Sequence, residues 1–109
     1  MTLNELKLLL NQVGYPVTYS HFTPTKEKPM PSPPYICYLF VDSENFFADD
    51  TVYLEGANID IELYTSVKDL AAEKKLKDVL LANGITFEQN EVYIKEEGLF
   101  KNTFEVELR

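Results

Sequence analysis

Residues 58–65 alternate strictly between apolar and polar side chains, and this pattern limits the possible folds more than any other part of the chain. An extended strand turns successive side chains to opposite faces, so the apolar and polar sets separate: Ile59, Ile61 and Leu63 against Asp60, Glu62 and Tyr64. Such a strand belongs to a sheet with one buried face and one polar face. Residues 35–41 are apolar on both faces, which predicts a strand inside the sheet or one with a face against another subunit.

Two amphipathic helices are predicted beside these strands. The first has leucines at helical spacing, begins after a capping box formed by Thr2 and Glu5, and ends near Gly14. The second is expected to begin with Ser66 as its cap and to end at residues 83–84, an Asn-Gly pair.

With the remaining strands, the predicted order of elements is a helix, three or four strands, a second helix, and two or three further strands. They are predicted at residues 17–19, 51–54, 86–89, 92–95 and 102–108. Helices and strands do not alternate strictly, so the fold class is α+β, with a mainly antiparallel sheet and both helices packed on one face. The other face would carry four carboxylates: Asp60, Glu62, Glu105 and Glu107. A length of 109 residues fits a single domain, residues 1–109.

A proline-rich segment at about residues 23–34 contains five of the six prolines. Because proline removes backbone donors and stiffens the chain, we expect an extended, exposed loop. Pro29, Met30 and Pro31 at its centre are candidate contacts to another subunit.

Phe46 and Phe47 follow in a second expected loop and are flanked by acids, including Asp49 and Asp50. They could pack beneath their own loop or anchor an interface between subunits, because aromatic side chains are enriched in interface cores. The sequence does not separate these two interpretations.

The charge is strongly acidic and unevenly distributed. The net charge is −8, and residues 29–67 contain seven acids and no Lys or Arg. Such a surface repels nucleic acid and anionic membranes. The lysines of the second helix, among them Lys74 and Lys75, could meet the acidic region of a neighbouring subunit or simply face solvent.

The residue sets that support catalysis are missing, so we expect no enzyme, cofactor or metal site. His21 is the single histidine and Cys37 the single cysteine, which excludes a zinc pattern and an internal disulfide. The four glycines are too dispersed to hold a phosphate, and the acids of residues 42–50 do not follow the EF-hand pattern. No run reaches the roughly 20 apolar residues of a membrane helix, and no signal peptide is recognisable.

The chain resembles small structural proteins of prophages and long-tailed phages of Gram-positive bacteria, in the tail terminator and tail-completion family that includes minor tail protein U and head–tail joining proteins. The resemblance rests on these segments: Tyr15-Pro16-Val17, His21-Phe22, Pro33-Pro34-Tyr35-Ile36-Cys37-Tyr38, Asp49-Asp50 with Val52-Tyr53, and Ile61-Glu62-Leu63-Tyr64-Thr65 with Lys68-Asp69-Leu70. It covers nearly the whole chain but includes no catalytic signature.

The resemblance implies a ring, commonly a hexamer, that caps the tail tube and joins it to the head connector. Its partners would be copies of itself, the tail tube protein and the head-completion protein, while DNA passes through without specific binding. The four carboxylates of the polar sheet face are then candidates for the channel lining, although the sequence does not fix which face of the sheet is turned inward. The protein would reside in the host cytoplasm during assembly and later in the virion tail.

A different class of function fits the same residues. A small acidic α+β protein without catalytic groups could be a binding or inhibitor module encoded by a mobile element, since some inhibitors mimic the charge of DNA. Ring formation or binding to tail tubes would separate this interpretation from the tail terminator.

Overall fold

A computed structural model describes residues 1–43 and 56–108 of the chain, with only the backbone of Ser43. The elements, in chain order, are α1 (Leu3–Asn11), β1 (Val17–Tyr19), β2 (Tyr35–Ser43), β3 (Ala57–Thr65), α2 (Leu70–Ala82), β4 (Phe87–Ile94) and β5 (Leu99–Glu107). The strands form one sheet in the order β1-β2-β3-β5-β4, and only the β1–β2 pair is parallel. The predicted α+β class with a mainly antiparallel sheet is confirmed.

The alternating strand occupies the centre of this sheet, as β3. Ile59, Ile61 and Leu63 are fully buried under the helices, together with Phe104 of β5. The helices contribute a continuous apolar stripe to the same core: Leu6, Leu9 and Leu10 from α1, and Ala72, Leu76 and Leu80 from α2. Helical and strand periodicity therefore converge on one buried layer.

The first helix begins as predicted. The Glu5 amide donates to Thr2 Oγ1 at 3.1 Å, and the Thr2 amide donates to Glu5 Oε1 at 3.2 Å, which completes the capping box.

The second helix begins later than predicted, and Ser66 is not its cap. The cap is Asp69, whose carboxylate accepts from the Ala72 amide at 3.0 Å. β3 runs through Thr65, so residues 66–68 carry the chain from the sheet to the helix layer. Asp caps a helix as well as Ser does, so local sequence could not separate the two positions.

Two of the predicted strands form one continuous strand in the structure. Residues 86–89 and 92–95 were predicted separately, whereas β4 continues through Asn90 and Glu91 with every residue paired to β5. The break was wrong because β4 lies at a sheet edge, where polar residues in mid-strand remain exposed. The strand predicted at 51–54 lies outside the described residues.

Candidate functional site

The face of the sheet opposite the helices, here called the open face, carries polar residues from each of the long strands. Strand register places Asp60 of β3 directly opposite Glu105 of β5, and Glu105 directly opposite Glu88 of β4. Three carboxylates therefore form one row across three adjacent strands. Neighbouring strands are about 4.8 Å apart, so the row holds like charges at close spacing.

A second row beside the first extends the negative surface. Asp42, Asn58 and Glu107 lie opposite one another across β2, β3 and β5. A β-bulge between Phe40 and Asp42 shifts the register and turns Asp42 to the open face. The two rows together are called the acidic end: Asp42, Asp60, Glu88, Glu105 and Glu107.

Side-chain amides contact two carboxylates of the acidic end. Asn58 donates to Asp42 Oδ1 at 2.6 Å, and Asn90 lies 3.4 Å from Glu105 Oε2. Within residues 1–43 and 56–108, no lysine or arginine nitrogen comes within 4.0 Å of the carboxylates of Asp60, Glu88 or Glu105. An open groove of about 570 Å³ lies at this end of the sheet, lined in part by all five acids.

The row of three carboxylates has an energetic consequence. Like charges directly opposite on neighbouring strands destabilise a sheet by a few tenths of a kcal/mol to about 1 kcal/mol per pair. A fold that needed only stability would gain by replacing one of these acids. The acidic end is therefore better explained by what the surface does than by how the chain folds.

The other end of the open face is closed by aromatic side chains. Tyr35 stacks on Tyr64 with ring centroids 5.0 Å apart, and Phe22, just before the proline-rich segment, packs edge-on against Tyr35 at 5.4 Å. The Tyr64 hydroxyl donates to Glu62 Oε1 at 2.9 Å, and Lys101 Nζ lies 3.9 Å from Glu62 Oε2. Glu62 thus has a cation within 4.0 Å, which Asp60 and Glu105 lack among the described residues.

Burial at this closed end also suppresses the reactivity of the single thiol. Cys37 lies on the open face opposite Glu62 but is buried, and desolvation together with the Glu62 charge raises its pKa to about 11. Desolvation, followed by the hydrogen bond to Glu62, raises the pKa of Tyr64. A thiol with a raised pKa is a poor nucleophile, so this geometry does not support thiol chemistry.

Of the residues predicted for the polar face, four come together. Asp60, Glu62, Glu105 and Glu107 all lie on the open face, with Glu62 at the border of the closed end. Sequence reasoning missed Asp42, which the bulge reorients, and Glu88, whose position depends on the register of β4.

The predicted interface residues are spread over other surfaces. Pro29 and Met30 are exposed and Pro31 is partly buried in the proline-rich segment. Lys74 bonds to Asp78 at 2.7 Å, and Lys75 lies over the Tyr15 ring at 5.4 Å, so both lysines have partners within the chain. Phe46, Phe47, Asp49 and Asp50 lie outside the described residues.

A second group of charged residues lies on the helix face of the sheet, where sequence reasoning indicated none. In this group, called the polar cluster, Lys68 Nζ is 2.7 Å from Glu73 Oε2 and 2.8 Å from Glu91 Oε1. Gln89 donates to Glu73 and to Asn102 at 2.9 and 2.8 Å, and Asn102 donates to Glu91 at 3.1 Å.

The polar cluster changes the titration of its charged members. The hydrogen bonds to Glu73 and then Glu91 raise the pKa of Lys68, and the bond from Lys68 lowers the pKa of Glu91. Glu73 and Asn102 are almost completely buried. The members of the cluster contact one another, and these contacts connect α2 with the β4–β5 pair.

No described helix is long and apolar enough to cross a membrane. Across residues 1–43 and 56–108, no three His, Cys, Asp or Glu side chains converge as metal ligands would. A comparison with models of known protein families and with curated protein sequences finds no match to this chain.

Proposed function

We propose that the chain is a tail terminator or tail-completion protein of a long-tailed phage, which forms a ring at the end of the tail tube and joins it to the head connector. The observation that carries the proposal is the cross-strand row of Asp60, Glu105 and Glu88, which has no cationic partner in the described part of the chain. The row opposes folding stability, and a ring whose channel transmits DNA gives it a use.

The physical link between the row and the function is repulsion. A duplex carries one phosphate charge per about 1.7 Å of its axis, so a lysine-lined channel would bind it and slow its passage. A carboxylate-lined channel repels the phosphates and keeps DNA from adhering to the wall. In the proposed ring the open face therefore looks inward and the helices look outward.

A ring of this kind requires two different complementary patches on each subunit. Exposed Pro29 and Met30 offer one candidate patch. The exposed side of α2, which includes Lys74 and Lys75, offers a second candidate patch.

The test is to mix the purified protein with terminator-free tail tubes and examine the tube ends by negative-stain microscopy. We expect a ring of about six subunits with a central hole at one end of each tube. Tubes that stay bare, with tube length uncontrolled, would contradict the proposal.

The role of the acidic end is tested separately by charge reversal. A Glu88→Lys/Glu105→Lys variant should still cap tubes but should bind double-stranded DNA at low salt and reduce the yield of infectious particles. Glu96→Lys, in the exposed turn after β4, is the control that changes charge away from the row. If both variants behave alike, the row has no part in DNA passage.

The same row favours a second function, because regularly spaced carboxylates resemble the charge pattern of a nucleic-acid backbone. As an acidic inhibitor module, the chain would occupy the basic groove of a DNA-binding protein. It would then compete with DNA for such a protein and would leave tail tubes uncapped.

A further inference from the structure

The two edges of the sheet differ in how far they are protected against pairing with another strand. β1 is only three residues long and is bounded by Pro16 and by Ser20, whose φ is +66°. β4 is eight residues long, pairs with β5 at every position, and contains no Pro, Gly or Lys. Short edges, prolines, bulges and charged side chains are the usual devices that block edge-to-edge pairing. Of these, β4 has only the charges of Glu88 and Glu91, and Glu91 is paired with Lys68.

The outward side of β4 offers both hydrogen-bonding groups and apolar surface. It is the last strand of the sheet, so its outward amides and carbonyls have no strand beside them among the described residues. Val92 on the open face is 50% exposed, and Tyr93 on the helix face is 52% exposed. Val67 and Leu70, next to the Lys68 that reaches β4, are 63% and 69% exposed.

We infer that β4 pairs antiparallel with β4 of a second copy of this chain, about a two-fold axis that passes through Asn90. Side chains opposite each other in an antiparallel pair share a face, which restricts the possible registers. The register centred on Asn90 pairs Phe87 with Tyr93, Glu88 with Val92, and Gln89 with Glu91 of the other copy. Each of these contacts occurs twice, once on each side of the axis, as a two-fold interface requires.

Charge disfavours the neighbouring register that is centred on Glu91. With Asn90 at the centre, no two acids are directly opposite, and the two Glu88 side chains are separated by about 13 Å along the strands. That separation exceeds the Debye length of about 8 Å at physiological salt. A register centred on Glu91 would place the two Glu91 carboxylates face to face, which destabilises a sheet. In the favoured register each Glu91 keeps its own cation, Lys68.

The pair joins two five-stranded sheets into one of ten strands. Both open faces lie on the same side of it, and both acidic ends remain accessible. The contact is small, so we expect dissociation in the micromolar range and a mass that rises with concentration. The inference concerns the isolated protein and is independent of tail binding, so a bare tail tube would not overturn it.

The test measures solution mass by light scattering from about 1 to 500 µM for the wild type and three variants. Val92→Glu should yield a monomer, because its carboxylate faces Glu88 of the other copy. Adding Glu88→Lys to Val92→Glu should restore the dimer, because opposite charges then face each other. Leu81→Glu is the control: it introduces the same charge at an apolar α2 residue of 58% exposure and should remain dimeric.

Covalent trapping checks the register without relying on stability. Under mild oxidation, Asn90→Cys should form a disulfide-linked dimer, because position 90 faces itself, and Glu88→Cys should not. A wild type that is monomeric throughout the range, or a Val92→Glu dimer, would overturn the inference. Equal cross-linking at positions 88 and 90 would also overturn it.

Discussion

The polar cluster on the helix face and the row of Asp60, Glu105 and Glu88 on the open face both gather carboxylates, but within the described residues only the polar cluster contains a cation. In the polar cluster, Lys68 contacts both Glu73 and Glu91, and the side-chain amides of Gln89 and Asn102 donate to Glu73 Oε1 and Glu91 Oε1. At the acidic end, Asp60, Glu105 and Glu88 lie opposite one another with no cation within 4.0 Å in the described residues.

The presence or absence of a cation separates carboxylates that stabilise the fold from carboxylates that do not. A buried carboxylate such as Glu73 is tolerated only with a cation and hydrogen bonds, and the fold supplies both. An exposed carboxylate can persist without a partner because water solvates it, but a row of them still repels. The polar cluster therefore belongs to the folding of the chain, and the acidic end belongs to its proposed function.

The largest expected effect comes from removing the shared cation. Lys68→Met leaves Glu73 buried without its ion pair and should lower the free energy of unfolding by about 2 kcal/mol, since Lys68 itself is half exposed and water softens the loss. Chemical denaturation measures the change. Lys74→Met, which removes an exposed pair with Asp78 on the same helix, should lower it by less than about 0.5 kcal/mol. Equal losses in the free energy of unfolding would show that the polar cluster does not stabilise the fold more than an exposed ion pair does.

The pH dependence sharpens the same contrast. The pKa of Glu91 is lower in the folded chain than its ordinary value of 4.5, so the ion pair with Lys68 stabilises the fold above that pH. As pH falls through the lowered pKa, Glu91 becomes protonated and this contribution is lost. The pKa of Lys68 is raised above 10.5, so the lysine stays charged at neutral pH.

We therefore expect the stability difference between wild type and Lys68→Met to be constant from about pH 6 to 8 and to narrow below about pH 4.5. Urea denaturation at a series of pH values measures it. A difference that widens in acid would contradict the assigned ion pair.

Salt should reveal the smaller effect at the acidic end. Screening weakens repulsion between exposed like charges, and the Debye length falls from about 30 Å at 0.01 M salt to about 10 Å at 0.1 M. Sodium chloride should therefore stabilise the wild type by a few tenths of a kcal/mol more than it stabilises an Asp60→Asn/Glu105→Gln variant. The same salt response in both proteins would mean that the row carries no net repulsion.

The sequence predicts well what depends on local periodicity, and poorly what depends on register. The alternation of residues 58–65 identifies the central strand, and Thr2 with Glu5 identifies the start of α1. The row of Asp60, Glu105 and Glu88 requires the pairing of three strands that are distant in sequence. Residue spacing alone cannot supply that pairing.

The polar cluster escaped prediction for the same reason. Lys68 and Glu91 are 23 residues apart, and Gln89 and Asn102 are 13 apart. Each side chain is typical of a solvated position in its local sequence. The β4–β5 register and the packing of α2 on the sheet bring them together. Asp42 was missed because a single bulged residue reverses the face that alternation assigns.

The free energy of unfolding of Glu105→Gln at low salt decides whether the row of carboxylates opposes folding. Glu105 is the middle of the row, and glutamine keeps its shape while removing the charge. We predict a gain of about 0.5 to 1 kcal/mol, against no change for Glu96→Gln in the β4–β5 turn. A loss of stability in Glu105→Gln would show that the carboxylate holds the fold and would contradict the account.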